Sequence, residues 1–177
     1  MSSIAVTTSG VFPAAIRGFW RDSLDYRVAG SILLLVRLAL GPMWIGTGLY
    51  WIRADNAPAE IANQIGKVME SGRTVGWYEP FLESVVLPNV ALFAILVTWG
   101  EFLTGVSLTL GAATRLGAVV GGFLAANYAL LYGNPFFPAE GNWKYLWYQA
   151  VLLLAAGGRS FGVDTYMARR WPRCPLW

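Results

Sequence analysis

The chain has 177 residues, of which 56% are hydrophobic, 15% aromatic and only 13% charged, with a net charge of +3. A soluble domain carries roughly 25% charged residues, so this composition is that of a membrane protein and excludes disordered, collagen-like and coiled-coil chains. There is no histidine and a single cysteine, Cys174; that rules out bis-histidine haem, histidine-containing zinc sites, histidine acid–base chemistry and any internal dithiol relay, so no metal site is expected, and the small dispersed charge leaves no nucleic-acid footprint.

In chain order, residues 12–26 mix Phe12, Ile16, Phe19 and Trp20 with Arg17, Arg21, Asp22 and Asp25, which predicts a short helix lying at the membrane interface. The first apolar run, 28–52, is long enough to span and too long for a signal-peptide core. The loop 53–87 predicts an amphipathic helix over 57–71, started by Asn56 and Pro58, stopped by Gly72, and carrying Ile61, Ile65, Val68 and Met69 at helical spacing. Further spans are predicted over 88–111, 116–132 and 143–158. The last, at sixteen residues or about 24 Å, needs tilt or a thinned bilayer. The expected architecture is one all-α integral membrane domain over 1–177, a four-helix bundle with interfacial helices and lipid around it.

Four spans put both termini on one side. That side holds Arg17, Arg21, Arg27, Arg115, Arg159, Arg169, Arg170 and Arg173, against Arg53, Lys67, Arg73 and Lys144 on the other. The basic excess predicts cytoplasmic termini.

Charged groups inside spans are costly and need partners. Counting from the assigned span ends at 1.5 Å per residue puts Arg37, Glu101, Asn127 and Gln149 at depths of about 14, 15, 17 and 14 Å. These four are therefore expected to form one polar layer near the midplane. An Arg37–Glu101 pair there either fixes helix register or lines a pocket that binds a quinone carbonyl or moves a proton. Gly117, Gly121, Ala125 and Ala129 form a stripe for close helix approach, and Gly41, Gly46 and Gly48 are expected to act likewise on the first span. Trp44, Tyr50, Trp51, Trp77, Tyr78, Trp143, Tyr145, Trp147 and Tyr148 predict an aromatic belt at the outer interface. Some of these residues could instead line a flat quinone pocket under the loop 134–147.

Arg37 with the following glycines, then Gly100-Glu101-Phe102-Leu103-Thr104-Gly105, then Leu110-Gly111-Ala112-Ala113-Thr114-Arg115, and finally Gly157-Gly158-Arg159 with Asp164 occur in order. This series resembles the DoxX/DoxD membrane proteins over roughly residues 30–166. The resemblance implies a four-helix bundle in a prokaryotic cytoplasmic membrane. It also implies a place in a quinone-linked complex of the thiosulfate:quinone oxidoreductase type, in which a partner subunit brings the sulfur chemistry and a quinone is the bound cofactor. In that pattern Arg37, Glu101 and Asp164 occupy motif positions, and Arg115 and Arg159 mark interfacial turns. A non-catalytic membrane scaffold is the competing expectation. A transporter has neither an inverted repeat nor a broken helix pair to support it.

Overall fold

The structure, a computed structural model, describes residues 30–136, 141–159, 161–172, 174 and 176; the interfacial helix expected at 12–26 lies outside them. Among the described residues six helices follow one another: α1 Gly30–Arg53, α2 Ala57–Glu70, α3 Glu79–Leu110, α4 Thr114–Leu131, α5 Trp143–Leu154 and α6 Val163–Arg170. Among the described residues there is no strand. The protein is an all-α integral membrane bundle.

Local chemistry explains the ends. Asn56 accepts a hydrogen bond from the Ala59 amide at 3.3 Å through its side chain, Pro58 sits in the first turn of α2, and Gly72 follows its end at φ 66°, as expected of an N-cap and a left-handed stop. The apolar stripe of α2 buries Ile65 and Val68 against Tyr78, Leu82, Val86 and Leu131. Helix α3 begins nine residues before the expected position 88. Pro88 has no amide hydrogen to give, but instead of starting the helix it is absorbed by a π turn at Leu82–Val86 and a 3-10 turn at Leu87–Asn89. The Asn89 side chain donates a hydrogen bond through Nδ2 to the Val85 carbonyl at 2.9 Å.

Helices α1, α3 and α4 are long and apolar enough to cross a membrane. Helix α5, with 12 residues, reaches only about 18 Å. Its start is tied to Asn134, through the Asn142 amide at 3.0 Å and the Trp143 indole at 2.8 Å, and its end leads to a 3-10 turn, Gly157–Arg159, beside Arg37 at the opposite end of the bundle. With that turn, the segment runs along the bundle from the Asn134 end to the Arg37 end, although α5 alone is too short to count with the three spanning helices. Leu92, Ile95, Leu96, Leu103 and Phe123 are more than half exposed. Such a surface is suited to lipid, and it reverses the usual order of burial.

Backbones meet at glycines. A Cβ on Gly105 would lie 2.4 Å from the Ile45 amide nitrogen, and one on Gly41 or Gly48 would strike Thr109 or Phe102. Between α4 and α5, Gly121 leaves room for Gln149. Gly46, expected to pack with its neighbours, has nothing within 4 Å of its Cβ position. Helix α1 packs on α3 and α5 on α4, while α1 and α5 touch sparingly. That loose seam is where the site lies.

Gly105→Val forces two backbones apart and is expected to destabilise the bundle by more than about 2 kcal/mol, as overpacking of a close contact does. Gly46→Ala should be neutral. Denaturation of both variants in detergent checks the contrast, and equal stability would contradict the close α1–α3 approach.

Candidate functional site

The α1–α3 contacts fix an antiparallel register in which Gly41 faces Gly105 and Thr109, and Gly48 faces Phe102. Extended by a turn, that register sets Arg37 opposite the Gly111 turn and Glu101 opposite Leu49. The two are separated by about twelve residues, roughly 18 Å along the axis. The expected Arg37–Glu101 pair is therefore corrected. Side chains of a helix lean towards its N-terminus, and these helices run in opposite directions, so the two groups also point apart.

Arg37 closes one end of the bundle. It is 1% exposed, and its Nε donates to the Leu108 carbonyl at 2.8 Å, with further bonds to the Thr109 carbonyl at 3.3 Å and the Gly157 carbonyl at 3.4 Å. The first two acceptors are carbonyls of the last turn of α3, which lack helical amide partners. Asp164 supplies the opposite charge. Its Oδ1 accepts the Ala113 amide at 2.7 Å and its Oδ2 the Thr114 amide at 2.9 Å, so a carboxylate from the far end of the chain caps α4. Gly111, at φ 64°, has to be glycine twice over: its backbone is left-handed, and a Cβ would sit 2.3 Å from Arg37 Nη2. Ala113, Ala156 and Phe161 also take positive φ at this end, a strain that the surrounding bonds must hold in place. Arg115 stands half-buried at the start of α4, and exposed Arg159 accepts the Thr165 hydroxyl at 2.9 Å through its carbonyl.

Glu101 belongs to another neighbourhood. It is 2% exposed, and Tyr128 donates its hydroxyl to Oε1 at 2.6 Å. Oε2 makes no hydrogen bond of ordinary geometry among the described residues, the Thr47 hydroxyl beside the carboxyl being donated to the Trp44 carbonyl at 3.0 Å, and Nε1 of Trp44 makes none either. Both residues line a cavity of about 500 Å³ in the α1–α5 seam, with Thr47, Tyr50, Tyr132 and Tyr145. About one turn deeper, Gln149 is 1% exposed against Gly121 and Thr104, and the Gln149 side-chain amide and Thr104 hydroxyl make no hydrogen bond among the described residues. Buried polar atoms are almost always paired, so this concentration of unpaired ones marks the seam as a place for a polar ligand or ordered water.

Asn127 is separate again. It accepts the Tyr78 hydroxyl at 2.6 Å and donates to the Phe123 carbonyl at 2.8 Å. Burial pushes the Tyr78 phenol above its ordinary value, which keeps it a donor to Asn127. The single polar layer expected from span depths is thus three sites. Arg37 joins Asp164 at one end, Glu101 lies in the seam with Gln149 a turn below it, and Asn127 faces α3. Tyr128 carries no mark in the sequence, where a lone tyrosine in a span gives no periodic signal, and Thr104 is visible there only as a member of the Gly100–Gly105 motif. Trp44 and Tyr78, expected in the interfacial belt, are 3% and 7% exposed; the belt character holds for Tyr50 and Trp77, at 61% and 71%.

The DoxX family model matches residues 32–132, which takes in α1 to α4 but neither α5 nor Asp164. No curated protein and no solved structure matches the chain.

Asp164→Ala removes a buried countercharge and a helix cap together, and should cost about 3–5 kcal/mol. In double-mutant cycles of detergent unfolding, Arg37→Ala and Asp164→Ala should be coupled by about 1–3 kcal/mol, and Arg37→Ala and Glu101→Ala should add to within about 0.5. The reverse pattern would return Glu101 to Arg37.

Proposed function

The chain belongs to the DoxX family, and from that premise we propose that it is the membrane subunit of a quinone-linked redox complex, with the quinone ring received beside Glu101. The carrying observation is the pair of buried polar groups left open in the seam, Glu101 Oε2 and Trp44 Nε1. A quinone ring presents a carbonyl that accepts from an indole N–H and, when reduced, a hydroxyl that a carboxylate accepts. The aromatic walls from Tyr50, Tyr132 and Tyr145 suit a flat ring.

When bound, a quinone takes up two electrons and two protons. The residues of this chain bind the ring, orient it and hold a proton at Glu101, with Tyr128 fixing the carboxyl through Oε1. A chain with no histidine and one cysteine leaves the electron donor to a partner subunit. In the thiosulfate:quinone oxidoreductase form of this reading, the partner carries the sulfur chemistry.

We assign the Arg37–Asp164 end to the cytoplasm, because Arg115, Arg159, Arg169 and Arg170 gather there. The cavity then opens at the outer end under α2. Ser71→Cys in a Cys174→Ser background should react with a membrane-impermeant maleimide added outside intact cells. Labelling that requires permeabilised cells would invert the assignment.

Two variants test the quinone reading in complex purified from native membranes. Trp44→Phe removes one donor and should weaken quinone binding about five- to tenfold, the range of one lost hydrogen bond. Glu101→Gln should lower donor-to-quinone turnover at least tenfold with the complex intact. Unchanged binding and turnover in both, with loss of partners instead, would make the chain a scaffold.

A further inference from the structure

A second cavity, of about 320 Å³, lies beside the Glu101 cavity. The two share Trp51, Gln64, Tyr128 and Tyr132, so a single layer of side chains divides them. Gln64 donates to the Tyr132 hydroxyl within that wall. Beyond it the lining is apolar, built by Ile65 of α2, Val86, Phe93 and Val97 of α3, and Val120 and Leu124 of α4.

The polar groups of the two cavities differ in kind. In the apolar slot, Tyr78 and Asn127 are spent on each other and on the Phe123 carbonyl. In the Glu101 cavity, Oε2 and the Trp44 indole remain open. A polar ligand group gains nothing in the slot and two partners in the cavity, and hydrocarbon gains the reverse. Leu96 and Phe123 line the slot and are also 55% and 66% exposed on the lipid-facing surface, so the slot adjoins the hydrocarbon of the bilayer. Tyr128 joins the two halves, with its hydroxyl on Glu101 and its ring in the common wall.

We propose that the slot holds the prenyl tail of the molecule whose ring lies beside Glu101, so that the ligand is a long-chain isoprenoid quinone drawn sideways from the bilayer. This rests on the quinone reading above and adds to it the chemical class of the ligand and its route. The occupant is committed by continuity with the polar cavity, since a single chain with one oxygenated end and a hydrocarbon remainder fits both linings across one shared wall. Trp51, Gln64, Tyr128 and Tyr132 form the wall at which ring and tail join, and on this proposal the Gln64–Tyr132 hydrogen bond opens when the ligand is bound. Inside a membrane the tail gains no hydrophobic transfer energy by leaving lipid, so its contribution is one of fit, and filling the slot removes it.

The test uses the full chain in nanodiscs of one lipid composition. The probes are benzoquinone and naphthoquinone rings with a two-unit prenyl tail, and the same rings without one. Partition into lipid cancels when each probe is compared between wild type and variant. Val120→Trp fills the slot from α4, and Val97→Phe fills it from α3 should the first variant fail to assemble. The expected result is an affinity about tenfold lower for the prenylated rings, with the tailless rings bound within twofold of wild type. Prenylated rings bound as in wild type would assign the slot to something else, such as a phospholipid chain, and overturn the proposal. Equal weakening of both probes would make the slot part of the ring cavity and overturn it too. Tailless and prenylated rings that both fail to bind wild type would sink the quinone reading itself, and the proposal with it.

Discussion

A guanidinium buried among helices in a membrane must find acceptors inside the protein, because lipid offers none. Arg37 meets that demand at a place where acceptors are already in surplus. The last turn of α3 ends in carbonyls without amide partners, and the Leu108 and Thr109 carbonyls take the arginine's hydrogens. Next to them α4 begins, with amides lacking carbonyl partners, and Asp164 takes two of those at 2.7 and 2.9 Å. A helix end rich in acceptors is matched to a cation and a helix start rich in donors to an anion, and the two ions then neutralise each other. The glycines at 111, 158 and 162 follow from this arrangement, since a Cβ at each would enter the space of Arg37, Asp164 or the Gly111 backbone.

With that end closed, the rest of the bundle can afford an open seam. Glycine contacts commit α1 to α3, and Gly121 and Gly122 commit α4 to α5. Two tight pairs leave a boundary between them, and α2 lies across its opposite end through Ile65 and Val68. Glu101, Trp44, Thr104 and Gln149 are buried along that boundary with polar atoms unpaired. A fold under selection for stability alone would pair such atoms or replace them with hydrocarbon. At the other end the Thr114 hydroxyl is also without a partner, but the charged groups there, Arg37 and Asp164, are bonded, whereas in the seam a carboxylate oxygen stays open, which suits a site shaped for something other than the chain itself.

The apolar helices were legible in the sequence because apolar length is a property of one segment, and the capping signals of α2 were legible for the same reason. Depth was not. Placing Arg37 and Glu101 on one level required knowing where each helix ends relative to its neighbour, and that is set by the fit of Gly41, Gly48 and Gly105 against the opposing backbone, which no single segment encodes. The side-chain lean runs against a level pair, since antiparallel helices throw level side chains towards opposite ends of the bundle. The partnership of Arg37 with Asp164 spans 127 positions of sequence and is carried by no spacing rule. Pro88 misled for a local reason: a proline reads as a helix start, and here a π turn and a 3-10 turn let the helix run through it. Trp44 reads as an interfacial anchor because tryptophan is common at interfaces, but it lies on one buried face with Leu40 and Gly48.

The division between the two ends also bears on the redox role proposed for a chain so poor in redox chemistry. Without histidine, and with one cysteine near the terminus, the bundle has little means of holding an electron of its own. What it has is a carboxyl fixed by a tyrosine inside an aromatic cavity, beside an apolar slot whose edge adjoins lipid. Those are the parts needed to take a hydrophobic carrier out of the membrane, present its ring to an external donor and manage its proton. On that proposal electron delivery falls to a partner subunit, since electrons arrive through contact, whereas the ring and its tail can be received only where lipid and protein meet. A membrane subunit built on this plan needs rigidity at one end and a shaped seam at the other, and the Arg37–Asp164 clasp supplies the first without using any residue of the second.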